Sequence, residues 1–159
     1  IASAGNATDF GNARAEQDWQ ASASCSSSVR GVHRNAGEMN YVTIASTGNT
    51  TDFGNNDESA DWKGMMVVSS SVRAVYQRGG NTRYITIAST GNVTDFGEAE
   101  AMTDGDGANN NVRGLFMGGD KNNINMITIA STGDAADFGD LSAVRSGHGA
   151  VSNGNGGHQ

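Results

Sequence analysis

No proline interrupts this chain, and a single cysteine stands alone in it. One thiol makes no intrachain disulfide and builds no metal site, so Cys25 reads as a small buried or half-buried side chain. Aromatics are scarce at 6%, and no apolar run approaches the 18 residues of a membrane helix. A signal-peptide pattern is lacking too, so membrane insertion is not expected. Ten basic residues stand against seventeen acidic ones, for a net charge of −7. Those ten are scattered, which argues against a nucleic-acid groove, because phosphates require clustered Lys and Arg. Apolar residues make up 36% of the chain, below the usual share, which disfavours a large conventional core. The chain opens on Ile1 rather than Met, which reads as a fragment or a processed product.

What is present is repetition. An eleven-residue signature appears four times: IASAGNATDFG from Ile1, IASTGNTTDFG from Ile44, IASTGNVTDFG from Ile87 and IASTGDAADFG from Ile129. The leading isoleucines are 43, 43 and 42 residues apart. A fixed period of this size marks a repeat architecture. Aligned on the signature, the chain is a single repeat domain over 1–159, with units 1–43, 44–86, 87–128 and a partial unit 129–159. Twenty-three glycines exclude long helices, where each costs about 1 kcal/mol, and favour short strands joined by turns.

Each unit reads as four strand-like pieces. The first, at 41–46, 84–89 and 126–131, alternates apolar residues (Val42 and Ile44, Ile85 and Ile87, Ile127 and Ile129) with threonines, as a half-buried strand does. Thr-Gly-Asn or Thr-Gly-Asp then predicts a turn and a hairpin into Thr-Asp-Phe-Gly. Phe10, Phe53, Phe96 and Phe138 recur at one position in that second strand, as packing plugs between neighbouring units would. A divergent polar stretch follows and reads as a surface loop. The third piece, at 21–28, 64–71 and 105–111, closes on a Ser or Asn cluster that predicts a turn. The fourth is Val-Arg-Gly-Val at 29–32, with counterparts from Val72 and Val112. Four short strands in about 43 residues is the period of a β-propeller blade, so the expected class is all-β, with about four four-stranded blades. Three arrangements fit: a ring closed by the N- and C-terminal strands, part of a larger ring, or open edges that pair with another copy.

The run VRAVYQRGG at 72–80 followed by Tyr84-Ile85-Thr86-Ile87 resembles the kelch motif, with Phe53 and its equivalents in place of the kelch tryptophan. The wording of the signature with SSSVRGV is similar to kelch-like repeats of phage virion and tail-fibre proteins. That resemblance implies a propeller on a virion surface or otherwise extracellular, with no catalytic activity. It further implies attachment to a host-surface glycan or protein through loops on one face, and association with itself or other virion proteins. The alternative is a purely structural subunit of an extracellular filament.

The candidate binding residues are aromatic: Trp19, Trp62, Tyr76 and Phe116, which would stack on sugar rings if exposed and pack between blades if not. The repeated aspartates Asp9, Asp52, Asp95 and Asp137 are expected to accept backbone N–H groups in their own turns rather than to ring a cation. Arg30, Arg73 and Arg113 are expected to pair with those aspartates and fix the register between units. Asp104-Gly105-Asp106-Gly107 is too short of ligands for a calcium loop and reads as a turn. Asn49, Asn92 and Asn6 head N-x-Thr sequons that are read as turn residues. No metal ligand set, cofactor or catalytic constellation emerges from His33, His148, His158 and the scattered carboxylates.

Overall fold

The structure is a computed structural model that describes residues 6–14, 23–35, 37–56 and 64–152. Among them there is no helix. The eleven strands are β1 (Ser24–Ser26), β2 (Arg30–Asn35), β3 (Glu38–Thr43), β4 (Thr51–Asn55), β5 (Met66–Ser69), β6 (Arg73–Thr86), β7 (Thr94–Met102), β8 (Asp106–Asn109), β9 (Arg113–Met117), β10 (Asn123–Thr128) and β11 (Ala136–Asp140). They form three antiparallel sheets ordered β1-β2-β3-β4, β5-β6-β7 and β8-β9-β10-β11, and none closes on itself.

The fourteen-residue β6 is a folded-back pair. Fully extended it would span roughly 46 Å, yet its flanking residues meet: Ile87 N–H donates to Val72 O at 2.8 Å. The same bond joins Ile44 to Val29 at 2.8 Å and Ile129 to Val112 at 2.9 Å, at the mouths of β2–β3 and β9–β10. β5 pairs with one half of β6 through Ala74–Gln77 and β7 with the other through Gly79–Tyr84. All three sheets are therefore the same four-piece meander.

Each sheet straddles the boundary drawn at the isoleucine. The first takes β1, β2 and β3 from one unit and only its last strand, Thr-Asp-Phe-Gly, from the next. β3 stops at Thr43, so Ile44, Ala45 and Ser46 belong to a seven-residue connection, not to a strand. The hairpin between β3 and β4 exists, but without a tight Thr-Gly-Asn turn. In the second sheet β7 runs on to Met102, so the stretch expected to be a loop at 98–103 is mostly strand. The Ser and Asn clusters do make turns. Ser27 Oγ accepts from Val29 and Arg30 N–H, Ser70 Oγ from Val72 and Arg73, and Asn110 Oδ1 from Val112 and Arg113.

The repeated Asp-Phe-Gly is a β-bulge. The register shifts between Met39 and Asn40, between Thr82 and Arg83 and between Ile124 and Asn125, each time opposite the phenylalanine. An extra residue in one strand leaves the ladder and is re-aimed. Here it is aimed into the next sheet: Phe53 is 2% exposed and Phe96 3%. The core lies between sheets, not within them. One cluster joins Cys25, Val32, Met39 and Phe53 of the first sheet to Ala74, Tyr76, Ile85 and Ile87 of the second. The other joins Met66, Val68, Val75, Phe96 and Met102 to Phe116, Ile127 and Ile129 of the third. Strand alternation supplies both faces: the second and third sheets have a front that receives the preceding sheet, and each sheet has a back that carries the phenylalanine.

Candidate functional site

The meander gives each sheet two chemically different ends. At one lie the Ser/Asn turn between the first two strands and the Ile-Ala-Ser-Thr-Gly connection before the last, nearly identical in every unit. At the other lie the central turn, as at Gly79-Gly80 and Gly118-Gly119, and the C-terminal ends of the last strands β4, β7 and β11, beyond which the sequence of each unit diverges.

The constant end is consumed in joining units. Gly91 N–H donates to Phe53 O at 2.7 Å and Val93 N–H to Asn55 O at 3.1 Å. Gly133 and Ala135 make the same bonds to Phe96 and Glu98, as do Gly48 and Thr50 to Phe10 and Asn12. The side chains of Asn49, Asn92 and Asp134 accept from the N–H of Asn12, Asn55 and Glu98 at 2.9, 2.9 and 3.0 Å. Asn49 and Asn92 are thus caps on the preceding unit rather than local turn residues, and aspartate serves equally because only an acceptor oxygen is needed. The glycine of the bulge permits this approach. A Cβ on Gly54 would stand 2.2 Å from Gly91 O, and one on Gly97 2.4 Å from Gly133 O.

The repeated arginines do not pair with the repeated aspartates. Arg30 and Arg73 lie over the rings of Tyr41 and Tyr84, at 4.2 and 4.3 Å, and donate to Ile87 O and Ile129 O of the following sheet at 3.1 and 3.2 Å. The tyrosines in turn stand edge-on to Phe53 and Phe96. A delocalised guanidinium that stacks and donates at once suits this place better than an exposed carboxylate would. Arg113 is exposed and has Met126 where the others have tyrosine. The four aspartates are exposed, three of them, Asp52, Asp95 and Asp137, on the last strands β4, β7 and β11. Asp9 and Asp137 accept from Gly11 and Gly139 N–H two residues on, at 3.1 and 2.9 Å. Asp52 and Asp95 face Arg14 and Arg83.

Tyr76 and Phe116 are inter-sheet core, buried against the preceding sheet, and neither offers a face to a ligand. Trp19 and Trp62 lie outside the described residues. Asp106 engages Gly107 and Ala150 N–H with its two carboxylate oxygens and opens β8, so only Asp104, at φ +61°, behaves as the expected turn. Among the described residues no three or more His, Cys, Asp or Glu side chains gather closely enough to hold a metal. Burial pushes the Cys25 thiol up to about 11, against the opposing pull of the Tyr76 hydroxyl 3.4 Å away. A thiol held that high is protonated at neutral pH and is not a nucleophile.

The variable end carries polar chemistry. Glu100 on β7 binds Lys121 and Asn123 through its carboxylate at 2.7 and 2.6 Å, and its carbonyl accepts from Gln77 and Asn125. Arg34, almost wholly buried, donates to the Asn56 side chain and to the Met65 sulfur across the junction of the first two sheets. Sequence reasoning passed over both. Their signal was available only as polar residues at strand positions whose neighbours alternate apolar, at Arg34, Gln77 and Asn125. No protein-family model matches the chain, and no curated protein matches it.

Proposed function

We propose that the chain is a non-enzymatic structural and adhesive protein of a virion surface, a tail fibre or similar, and that it binds a host-surface glycan or protein with the variable end of its sheets. The observation that carries this reading is the division between the two ends of each sheet. The junction contacts recur from unit to unit on the constant end, whereas the opposite end changes sequence in every unit. A rigid scaffold that presents divergent loops is the ordinary arrangement for recognition. The kelch-like resemblance supports placing it on a virion. The finer architecture we propose is a propeller of kelch-like blades. Its support is the in-sheet meander, the one plug per sheet, and the packing of each sheet's back on the next sheet's front.

The test is a glycan array and a host-cell binding assay on the chain and on Trp19→Ala and Trp62→Ala. Lost binding in either variant supports recognition through the divergent stretches. Unchanged binding in both variants rejects the aromatic residues, and no binding by the parent chain rejects the adhesive role. A second reading, a subunit of an extracellular filament, is favoured by one observation: the outermost sheets keep uncovered the positions that are buried at the junctions.

A further inference from the structure

The two ends of the stack are unmatched halves of the junction the chain makes twice internally. At the back, Phe138 is 53% exposed where Phe53 and Phe96 are buried, and no described atom lies within 4 Å of a Cβ placed on Gly139. Half-buried Leu115 and Ile124 stand beside it on the face that carries Val75 and Phe96 in the second sheet. At the front, Ile44 is 46% exposed where Ile87 and Ile129 are fully buried. Next to it Ser24, Gly31, His33 and Val42 help line an open groove of about 320 Å³. The second sheet fills that place with Ala74, Tyr76 and Ile85, packed under the back of the first.

The front is only half occupied by the chain itself. Residues 10–12 lie where a preceding last strand would lie, accepting from Gly48 and Thr50 N–H at 2.8 and 3.0 Å. Phe10 has no described sheet behind it and stays 40% exposed. Its Asp-Phe-Gly is the same tripeptide as Asp137-Phe138-Gly139.

We propose that a second copy of this chain docks head to tail, the back of its third sheet on the front of the first, with its residues 138–140 replacing residues 10–12 on Gly48 and Thr50. The contact continues the internal junction in face, register and donor set. Residues 6–14 are then a built-in competitor that must leave for the docking to occur. Because the two surfaces differ, the interface is heterologous and propagates into a ring or a filament. The proposal deepens the filament reading by naming its contact, and it stands whatever the variable end binds.

Two single-methyl changes test it in the full chain. Gly11→Ala puts a Cβ 2.2 Å from Gly48 O and evicts the competitor, so it lowers the half-assembly concentration in sedimentation velocity. Gly139→Ala meets no described atom in the isolated chain but collides in the docked one, so it raises that concentration by about tenfold or more. Phe138→Asp and Ile44→Asp, both at exposed positions, each abolish assembly, and an equimolar mixture of the two gives dimers and nothing larger. Circular dichroism confirms that each variant remains folded. The proposal is overturned if the parent and Gly11→Ala both stay monomeric at every concentration. It is equally overturned if Gly139→Ala assembles like the parent, or if an Ile44→Cys/Phe138→Cys pair in a Cys25→Ser background cross-links within one chain at high dilution. Electron micrographs of the assembled Gly11→Ala chain separate the readings: rings keep the contact and reject the filament, and long fibres support both.

Discussion

Gly54→Ala should be far more damaging than Gly139→Ala, although the two glycines occupy the same place in the same bulge. Both sit at φ near +145°, at +147° and +140°. An alanine there carries a backbone cost of about 1–3 kcal/mol at either site. What differs is the neighbour. At Gly54 the new methyl would stand 2.2 Å from Gly91 O, whereas at Gly139 it meets open space. Relief requires residues 91–93 to lift away from β4. That breaks the bonds from Gly91 N–H to Phe53 O at 2.7 Å, Val93 N–H to Asn55 O at 3.1 Å, and Asn55 N–H to the Asn92 side chain at 2.9 Å. At about 0.5–1.5 kcal/mol each, these three bonds add roughly 2–4 kcal/mol to the cost at Gly54 alone. The assay is guanidinium unfolding followed by circular dichroism, at dilution where both variants are monomeric, with the difference read from the midpoints at a common m. If the two variants unfold within about 0.5 kcal/mol of each other, the Asp-Phe-Gly glycine is not there for the approach of the next unit, and the account of the junction fails.

Removing the plug should follow the same geography: Phe96→Ala costs about 3–5 kcal/mol in equilibrium unfolding, whereas Phe138→Ala, more than half exposed, changes the monomer by less than 1 kcal/mol. Arg73→Met, which keeps the stem but loses the ring contact with Tyr84 and the bond to Ile129 O, should cost about 1–3 kcal/mol in the same assay; a neutral result would make the arginine a surface group. Cys25 should make the fold alkali-sensitive. Its folded value of about 11 exceeds the ordinary 9.0, so its contribution is intact below pH 9 and is lost as pH climbs from 9 through 11, to a total of roughly 2–3 kcal/mol. Urea unfolding across that window should show a shallower loss in Cys25→Ala than in the parent; parallel curves would mean the thiol is not the titrating group. Burial also lowers His33 from 6.5, so its neutral form stabilises the fold above pH 6.5 and that share fades as pH falls through the folded value. A histidine proton NMR titration reads the folded midpoint directly, and a midpoint at or above 6.5 contradicts the burial.

Much of the secondary structure was legible because period and turn chemistry act locally. Three Ser/Asn clusters capped three turns, and the alternation at Ile85 and Ile87 and at Ile127 and Ile129 marked buried faces. The phase of the sheets was not legible. The most regular segment in the sequence, from Ile to Gly, drew the unit boundary, yet it is regular because it works between sheets. The isoleucine enters one junction, the asparagine caps the preceding unit, and the phenylalanine bulges towards the following one. A sequence repeat fixes spacing but leaves open where within the period one sheet hands over to the next. The arginine was misassigned for a related reason. Opposite charges at a common spacing suggest pairing, but the nearer partners were a neutral ring on the adjacent strand and a carbonyl one sheet away. Tyr76 and Phe116 were open to either reading because an aromatic at a strand position serves packing and stacking equally until its face is known.

The uncovered residues carry the same lesson in reverse. Ile44 and Phe138 obey the pattern of the repeat completely, and for that reason their exposure is informative. In an unrepeated protein an exposed phenylalanine is commonplace. Here two buried equivalents, Phe53 and Phe96 or Ile87 and Ile129, state what each position is for, and the exposure of Phe138 and Ile44 measures what the outer described sheets lack. The deficit is specific, since the front needs a bulged phenylalanine with its glycine and the back needs an isoleucine with two N–H donors. In the proposed contact, the first and third sheets each present what the other requires. Any partner without that repeat would have to reproduce a glycine-lined approach closer than a Cβ allows, which an unrelated apolar surface has no reason to offer. The proposed docking is therefore selective for a copy of the same repeat, and a single methyl at Gly139 is enough to probe it.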